Sequence, residues 1–138
     1  MTKGAAYIAL FTATKTAGLD CQVVPDTLGV QIDDESLFIP DVVVNCGPQD
    51  RNANMASNPI IVVEVLSPST TRFDTIEKLR GYFKVPSIRH YLMIDPDGAP
   101  ILHYERNADG RIEVVLRSTG PFRLDPPGID LKVEDLIG

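Results

Sequence analysis

Three residues of this chain have the types and spacing that could do chemistry: Asp41, Glu64 and Lys78. Asp41 follows Pro40 and opens the apolar run Val42-Val43-Val44. Glu64 is the only charge in Ile60-Ile61-Val62-Val63-Glu64-Val65-Leu66. A glutamate is almost never fully buried without a partner. In such a run it needs a cation, a hydrogen-bond donor or a proton to offset its desolvation. Two carboxylates at the mouths of neighbouring buried strands offer hard oxygens to a divalent cation. A lysine beside them completes the set that a magnesium-dependent phosphodiesterase uses. Each residue also has a plainer reading. Asp41 could complete a turn and Glu64 could face solvent. Lys78 could pair with Asp74 on a helix surface, worth about 0.3–0.5 kcal/mol. Asp95 closes a third apolar run within Asp95-Pro96-Asp97-Gly98, which is a natural turn.

These residues must be positioned by the elements around them. Residues 5–17 read as a helix, with Ile8 and Phe11 at a helical interval and Gly18 as its C-cap. Short strands over 22–24 and 28–32 are parted by Pro25-Asp26. A strand over 37–45 is apolar at nearly every position, which suggests burial on both faces. A polar loop over 47–58 leads to a second apolar strand over 59–66. A helix over 71–83 carries Ile76, Leu79 and Phe83 on one face, and Asp74, Lys78 and Tyr82 on another stripe. A third strand covers 89–94. Residues 100–106 and 111–117 form a hairpin around Asn107-Ala108-Asp109-Gly110. Short strands over 122–124 and 129–131 and a helical turn over 133–137 follow. This order predicts a mixed α/β sheet with a helix packed on it.

The bulk properties limit the function classes. At 138 residues and 43% hydrophobic, one domain over 1–138 with a single core is expected. No apolar run is long enough to span a membrane, and the first residues lack a signal-peptide pattern, so a cytoplasmic location is expected. Cys21 and Cys46 stand in no metal-binding spacing and are expected to be free buried thiols. The net charge of −6 argues against tight non-specific DNA binding by a monomer. A bound divalent ion would offset two of those charges. His90 and His103 do not cluster with Cys in the sequence. No GxSxG elbow, P-loop or Rossmann glycine pattern occurs.

Four segments together resemble a known family: Pro40-Asp41-Val42-Val43-Val44; Val63-Glu64-Val65-Leu66-Ser67-Pro68-Ser69-Thr70; Asp74, Lys78 and Tyr82; and Tyr91-Leu92-Met93-Ile94-Asp95-Pro96. They resemble the Uma-type restriction endonuclease family of the PD-(D/E)XK nuclease superfamily, over residues 28–136. The resemblance implies a restriction-endonuclease-like mixed β-sheet flanked by helices, here with an added β-hairpin. It implies Mg²⁺ or Mn²⁺ as cofactor, with Asp41, Glu64 and the main-chain carbonyl of Val65 as ligands. The superfamily's lysine two residues after the glutamate is replaced here by Leu66, and Lys78 matches the family's lysine on the following helix. Asp74, Tyr82 and Asp95 match family positions as supporting residues, Asp74 by positioning Lys78 and Asp95 by ordering its turn. The resemblance also implies a longer N-terminal segment whose helix can carry an acidic residue, so a shortened N-terminus is expected here; the helix over 5–17 has no acidic residue.

The expected activity is metal-dependent endonucleolytic hydrolysis of DNA, catalysed by Asp41, Glu64 and Lys78. Two alternatives stand beside it: a nuclease-fold binding or assembly module without turnover, and a phosphodiesterase acting on small nucleotides. A homodimer is expected, with the late hairpin as a candidate pairing element. Lys84, Arg89 and Arg106 are candidate phosphate contacts by charge alone.

Overall fold

The computed structural model describes residues 2–50 and 52–138. Its elements run α1 (Thr2–Thr16), β1 (Gln22–Pro25), β2 (Val30–Gln31), β3 (Leu37–Phe38), β4 (Val42–Asn45), β5 (Pro59–Val65), α2 (Arg72–Tyr82), β6 (His90–Asp95), β7 (Gly98–Arg106), β8 (Ile112–Arg117), β9 (Pro121–Leu124), β10 (Ile129–Lys132) and α3 (Val133–Ile137). The two apolar runs on either side of the polar loop become central strands of a six-stranded sheet, ordered β1-β4-β5-β6-β7-β8. Among the described strands only β5 and β6 pair in parallel. They are joined by α2, the crossover helix that a parallel pair requires. Antiparallel pairs build the rest of the sheet outward from them.

Both faces of the sheet are covered, which is why β4 and most of β5 and β6 are buried along their length. Val42, Val44, Ile61, Val63, Leu92 and Ile94 face one core, closed by α1, the β9–β10 ribbon and α3. Val43, Val62, Tyr91 and Met93 face the other, closed by α2, Ile88 and the β2 segment. The fold is the expected mixed α/β sheet flanked by helices, with the hairpin β7–β8 at one edge.

Two expectations, one strand and the cysteines, are corrected. The expected first helix forms as α1; it leaves Ile8 and Phe11 exposed and buries Ala6, Leu10 and Thr14. These lie at i, i+4 and i+8, and the small Ala6 lets the helix axis approach the sheet. The strand expected over 37–45 is two strands. Pro40 has no N–H for a ladder, so the chain turns at Ile39-Pro40-Asp41. β3 pairs with β2 in a separate ribbon, while β4 joins the main sheet. Cys21 and Cys46 are not free thiols but a disulfide. Gln22 pairs with Asn45, so the two cysteines, one residue further out on each strand, stand opposite each other with Cα atoms 4.2 Å apart. Spacing in the chain gave no sign of this, because the partner is set by strand register.

Among the described residues no helix is long and apolar enough to cross a membrane. The disulfide closes a 25-residue separation. Replacing both cysteines by serine is expected to lower the unfolding free energy by about 3 kcal/mol. Urea denaturation of the oxidised protein and of the double variant measures this, and coincident curves would show that the bridge adds nothing.

Candidate active site at the strand mouths

The register of β4 on β5 brings the two carboxylates together. Val42 pairs with Val63, so Asp41, one residue beyond the ladder, comes level with Glu64. Side chains alternate along a strand. Val43 and Val62 lie in the core under α2, so Asp41 and Glu64, each two residues further on, face that same side. Asp41 is anchored by the main chain: its Oδ2 accepts the N–H of Val65 at 2.7 Å. Its Oδ1 takes the Lys3 ammonium at 2.9 Å.

The side chain of Glu64 is only 14% exposed, which removes the reading of a solvent-facing glutamate. Its Oε2 accepts two donors, Lys78 Nζ at 2.9 Å and the Tyr82 hydroxyl at 2.6 Å. Oε1 carries neither of them. Burial pushes the Glu64 pKa above the usual carboxylate value; Tyr82 and Lys78 oppose that rise, and Asp41 adds to it. Burial and the Glu64 carboxylate push the Tyr82 phenol well above its ordinary range. Tyr82 is therefore a donor, never a phenolate, at any ordinary pH.

Helix α2 brings Lys78 and Tyr82 to the strand mouth at Glu64. Thr71 caps the helix: its hydroxyl accepts the Asp74 N–H at 3.0 Å, and Asp74 Oδ2 accepts the Thr71 N–H at 3.1 Å. This reciprocal capping box fixes where the helix begins. It holds the Asp74 pKa below the usual range, with Lys78 a minor contributor. Asp74 thus serves the helix start rather than a surface pair with Lys78. Lys78 and Tyr82, one turn apart, turn inward toward Glu64. The stripe expected to face the core is partly reversed, since Ile76 is exposed while Tyr82 is fully buried. Phe38 backs both inward residues, with Lys78 Nζ 4.8 Å from its ring centroid and the Tyr82 ring edge-on at 5.3 Å. Gly81 permits this, because a Cβ there would overlap the Phe38 ring.

Asp41, Glu64, Lys3, Lys78 and Asp74 line one open cleft of about 480 Å³, with Leu66 and Ser67 at its wall. A larger groove of about 850 Å³ lies between α1 and the β9–β10 ribbon, lined by Asp130, Lys132 and Asp135 among others; Asp130 is exposed there and paired with Arg123 at 3.0 Å, with no buried carboxylate like Glu64. Sequence reasoning missed Lys3. It precedes the helix expected over 5–17 but lies in the first turn of α1, and only the packing of α1 on the sheet places it on Asp41.

Other candidates fall elsewhere. Asp95 is exposed and accepts the Asp97 N–H at 2.9 Å, so it holds its turn, beside a neighbouring hollow. Lys84 pairs with Asp33 at 3.6 Å. Arg89 donates to the carbonyl of Arg106. Arg106 in turn clasps the carbonyls of Phe83, Val85 and Ile88. Both arginines brace the backbone near the start of β6, the end of the sheet away from the cleft.

A second polar cluster lies at that far end. His90, His103 and Glu105 could offer atoms to a metal ion, but the hydrogen-bond order favours a neutral pair. Arg117 only donates, and its Nε gives a proton to His103 Nδ1 at 3.0 Å. His103 therefore carries its proton on Nε2 and donates to His90 Nδ1 at 2.9 Å. That leaves His90 no proton on Nδ1 to give Glu105, 3.4 Å away. Its remaining proton sits on Nε2, which is buried and makes no hydrogen bond of good geometry among the described residues, although the backbone at Asp125 and Pro126 favours its protonated form.

A mixed sheet with one parallel pair, a crossover helix and a carboxylate–lysine cleft at the strand mouths defines a restriction-endonuclease-like fold. The chain belongs to the Uma2 family, described as "Putative restriction endonuclease", whose model matches residues 5–134. It is 38% identical over 95 residues to an uncharacterized protein of Synechocystis, covering 67% of this chain and 50% of that one. A second uncharacterized Synechocystis protein is 35% identical over 78 residues, covering 54% and 44%. The chain thus spans about half the length of the curated relatives it matches. A solved structure from Anabaena variabilis, titled as a "putative nuclease belonging to DUF820", superposes with a TM-score of 0.75 at 17% identity. It covers 99% of this chain and 78% of that chain, and at this identity it shows the fold alone. Lys3 lies outside the residues matched by the family model.

Two outcomes are expected from this geometry. Tyr82→Phe removes a donor from a buried carboxylate and should destabilise the fold by about 1–3 kcal/mol. It should also raise the Glu64 pKa further, because Tyr82 now lowers it. Carboxyl NMR titration reads this, and an unmoved Glu64 would mean that Tyr82 does not hold the anion. The second outcome concerns acid. Burial lowers His90 to about 4 and His103 to about 3, against about 6.5 in an unfolded chain. Below that unfolded value the unfolded chain binds protons that the native pair refuses. The pair's contribution is therefore intact above about pH 6.5 and is lost progressively as pH falls toward 4 and then 3. Glu64, raised rather than lowered, acts in the opposite sense. A His90→Gln/His103→Gln variant should lose less Tm than wild type between pH 7 and pH 5; an equal loss would assign the acid sensitivity elsewhere.

Proposed function

We propose that this chain is a metal-dependent endonuclease that hydrolyses DNA phosphodiester bonds at the cleft of Asp41, Glu64 and Lys78. The observation that carries the reading is the convergence of Lys78 and Tyr82 on the buried Glu64 carboxylate, level with an Asp41 fixed by the Val65 amide. Such a constellation costs stability to bury, and an ordinary core does not need it.

The donor set suits Mg²⁺ or Mn²⁺. Asp41, Glu64 and the main-chain carbonyl of Val65 supply only hard oxygens, without the imidazole or thiolate that a softer ion prefers. Bound there, the ion would lower the pKa of a water and offset charge on the scissile phosphate. The chain's own residues do the rest. The Val65 N–H holds the Asp41 carboxylate in one orientation. Tyr82 and Phe38 hold Glu64 and Lys78 from the closed side of the cleft. Lys78, at the position the resemblance gives to the lysine, would orient the attacking water or steady the charged phosphate. It does so from α2, because Leu66 occupies the strand position. Lys3 adds a second ammonium at the rim, so a protein of net charge −6 still meets a phosphate with two cations in the cleft.

The test is cleavage of supercoiled plasmid and of single-stranded DNA with Mg²⁺ or Mn²⁺. Wild type should nick and then linearise plasmid. Glu64→Ala should abolish cleavage, and Lys78→Met should slow it by about 100-fold or more. Inactive wild type with both metals would overturn the DNA reading and favour a small-nucleotide substrate or a binding module.

A further inference from the structure

The six-stranded sheet ends differently on its two sides. At one edge, β1 is four residues long, finishes on Pro25 and is tied to its neighbour by the Cys21–Cys46 bridge. Short length and proline blunt an edge against further pairing. At the other edge β8 runs six residues in unbroken register with β7, without proline or bulge. Ile112, Val114 and Leu116 are 41%, 53% and 64% exposed on one face, and Val115 is 38% exposed on the other. Such an edge is a template for another strand.

The hydrogen-bonding phase of β8 limits what can add to it. The Asn107 N–H donates to the Arg111 carbonyl at 2.8 Å, so Arg111 directs its backbone groups at β7. The direction alternates along an antiparallel strand. Glu113, Val115 and Arg117 therefore also bond inward, while Ile112, Val114 and Leu116 present their N–H and C=O groups outward. A second β8 adds antiparallel only where outward residues meet outward residues. With a two-fold axis at Val114, Arg111 stands opposite Arg117 of the second copy, a like-charge clash. With the axis at Val115, Glu113 stands opposite Arg117 and Val114 opposite Leu116, each twice. Opposite charges and apolar pairs across strands stabilise, and like charges do the reverse. The sequence of β8 is thus self-complementary in a register its backbone allows.

We propose that β8 is a homodimer interface, in which two copies join edge to edge, antiparallel, about a two-fold axis through Val115. One sheet then runs through both copies, and the apolar residues of β8 are covered by their own equivalents. A two-fold axis normal to the sheet sends the strand mouths of the two copies to opposite rims. The two clefts do not face one duplex, so this interface covers an edge rather than pairing two active sites, and it stands whether or not the chain cleaves DNA.

Cross-linking through the axis tests the register. On mild oxidation Val115→Cys should give a disulfide-linked dimer, because residue 115 meets itself across a close, non-hydrogen-bonded pair. Val114→Cys should not, and the native cysteines are already joined to each other. Analytical ultracentrifugation supplies the second arm: wild type should be a dimer, and Val114→Lys/Leu116→Lys should raise its dissociation constant about 100-fold or more. Glu113→Arg should weaken the dimer by about 10-fold through its new clash with Arg117. A monomeric wild type at 100-µM-order concentration, or a dimer indifferent to these changes, would overturn the proposal. Cross-linking through residue 114 instead of 115 would overturn the register.

Discussion

A carboxylate held almost out of water at the end of a central strand is the constraint on which the site depends. Glu64 follows the buried Ile61, Val62 and Val63 in its strand, and its side chain is itself only 14% exposed. Left alone there, its charge would cost several kcal/mol. The surroundings answer that cost from different parts of the chain. Lys78 and Tyr82 come from α2, and the polarity of the strand mouth comes from Asp41 and the Val65 amide. The capping box at Thr71 and the contact of Gly81 with Phe38 then make sense as parts of the same arrangement. One sets where α2 begins, the other how closely it lies.

The two ends of β6 solve the problem of buried polarity in opposite ways. At the mouth of the adjacent β5, negative charge is kept and balanced by ammonium groups in an open cleft. At the start of β6 the charge is removed. His90 and His103 stay neutral, and a single donor, Arg117, fixes the proton order through both rings. A site for chemistry needs charge and access to solvent, whereas a packed end needs hydrogen bonds without charge. The contrast explains why the carboxylate cleft, rather than the histidine pair, is where a cationic cofactor and an anionic substrate are expected.

The cleft also answers the difficulty posed by an acidic chain. A net charge of −6 repels phosphate at long range, but that repulsion is screened over about 10 Å at moderate salt. Inside the cleft the local groups decide. Lys3 and Lys78 each sit 2.9 Å from a carboxylate, so they offset the charges of Asp41 and Glu64, while Asp74 and Glu77 also line the cleft. Arg89 and Arg106, which charge alone made candidates for phosphate contact, instead bond to backbone carbonyls.

The sequence by itself determined most of the fold and singled out the residues at the centre of the candidate site. Apolar runs of strand length, a proline–serine break, a capped helix and an Asn-Ala-Asp-Gly hairpin turn are local signals, and the elements formed where those signals lay. Asp41 and Glu64 were legible because a charge inside an apolar run is costly wherever the run folds. Tertiary structure alone decided the rest. The strand over 37–45 divided because Pro40 could not join the ladder that its neighbours entered. Cys21 met Cys46 because the register of β1 on β4 put them opposite each other. Lys3 reached Asp41 because α1 crosses the sheet, and helical periodicity could not say that α2 would turn Lys78 and Tyr82 inward while leaving Ile76 in solvent. Register, crossing angle and the meeting of distant segments are properties of packed elements, and no short stretch of sequence contains them.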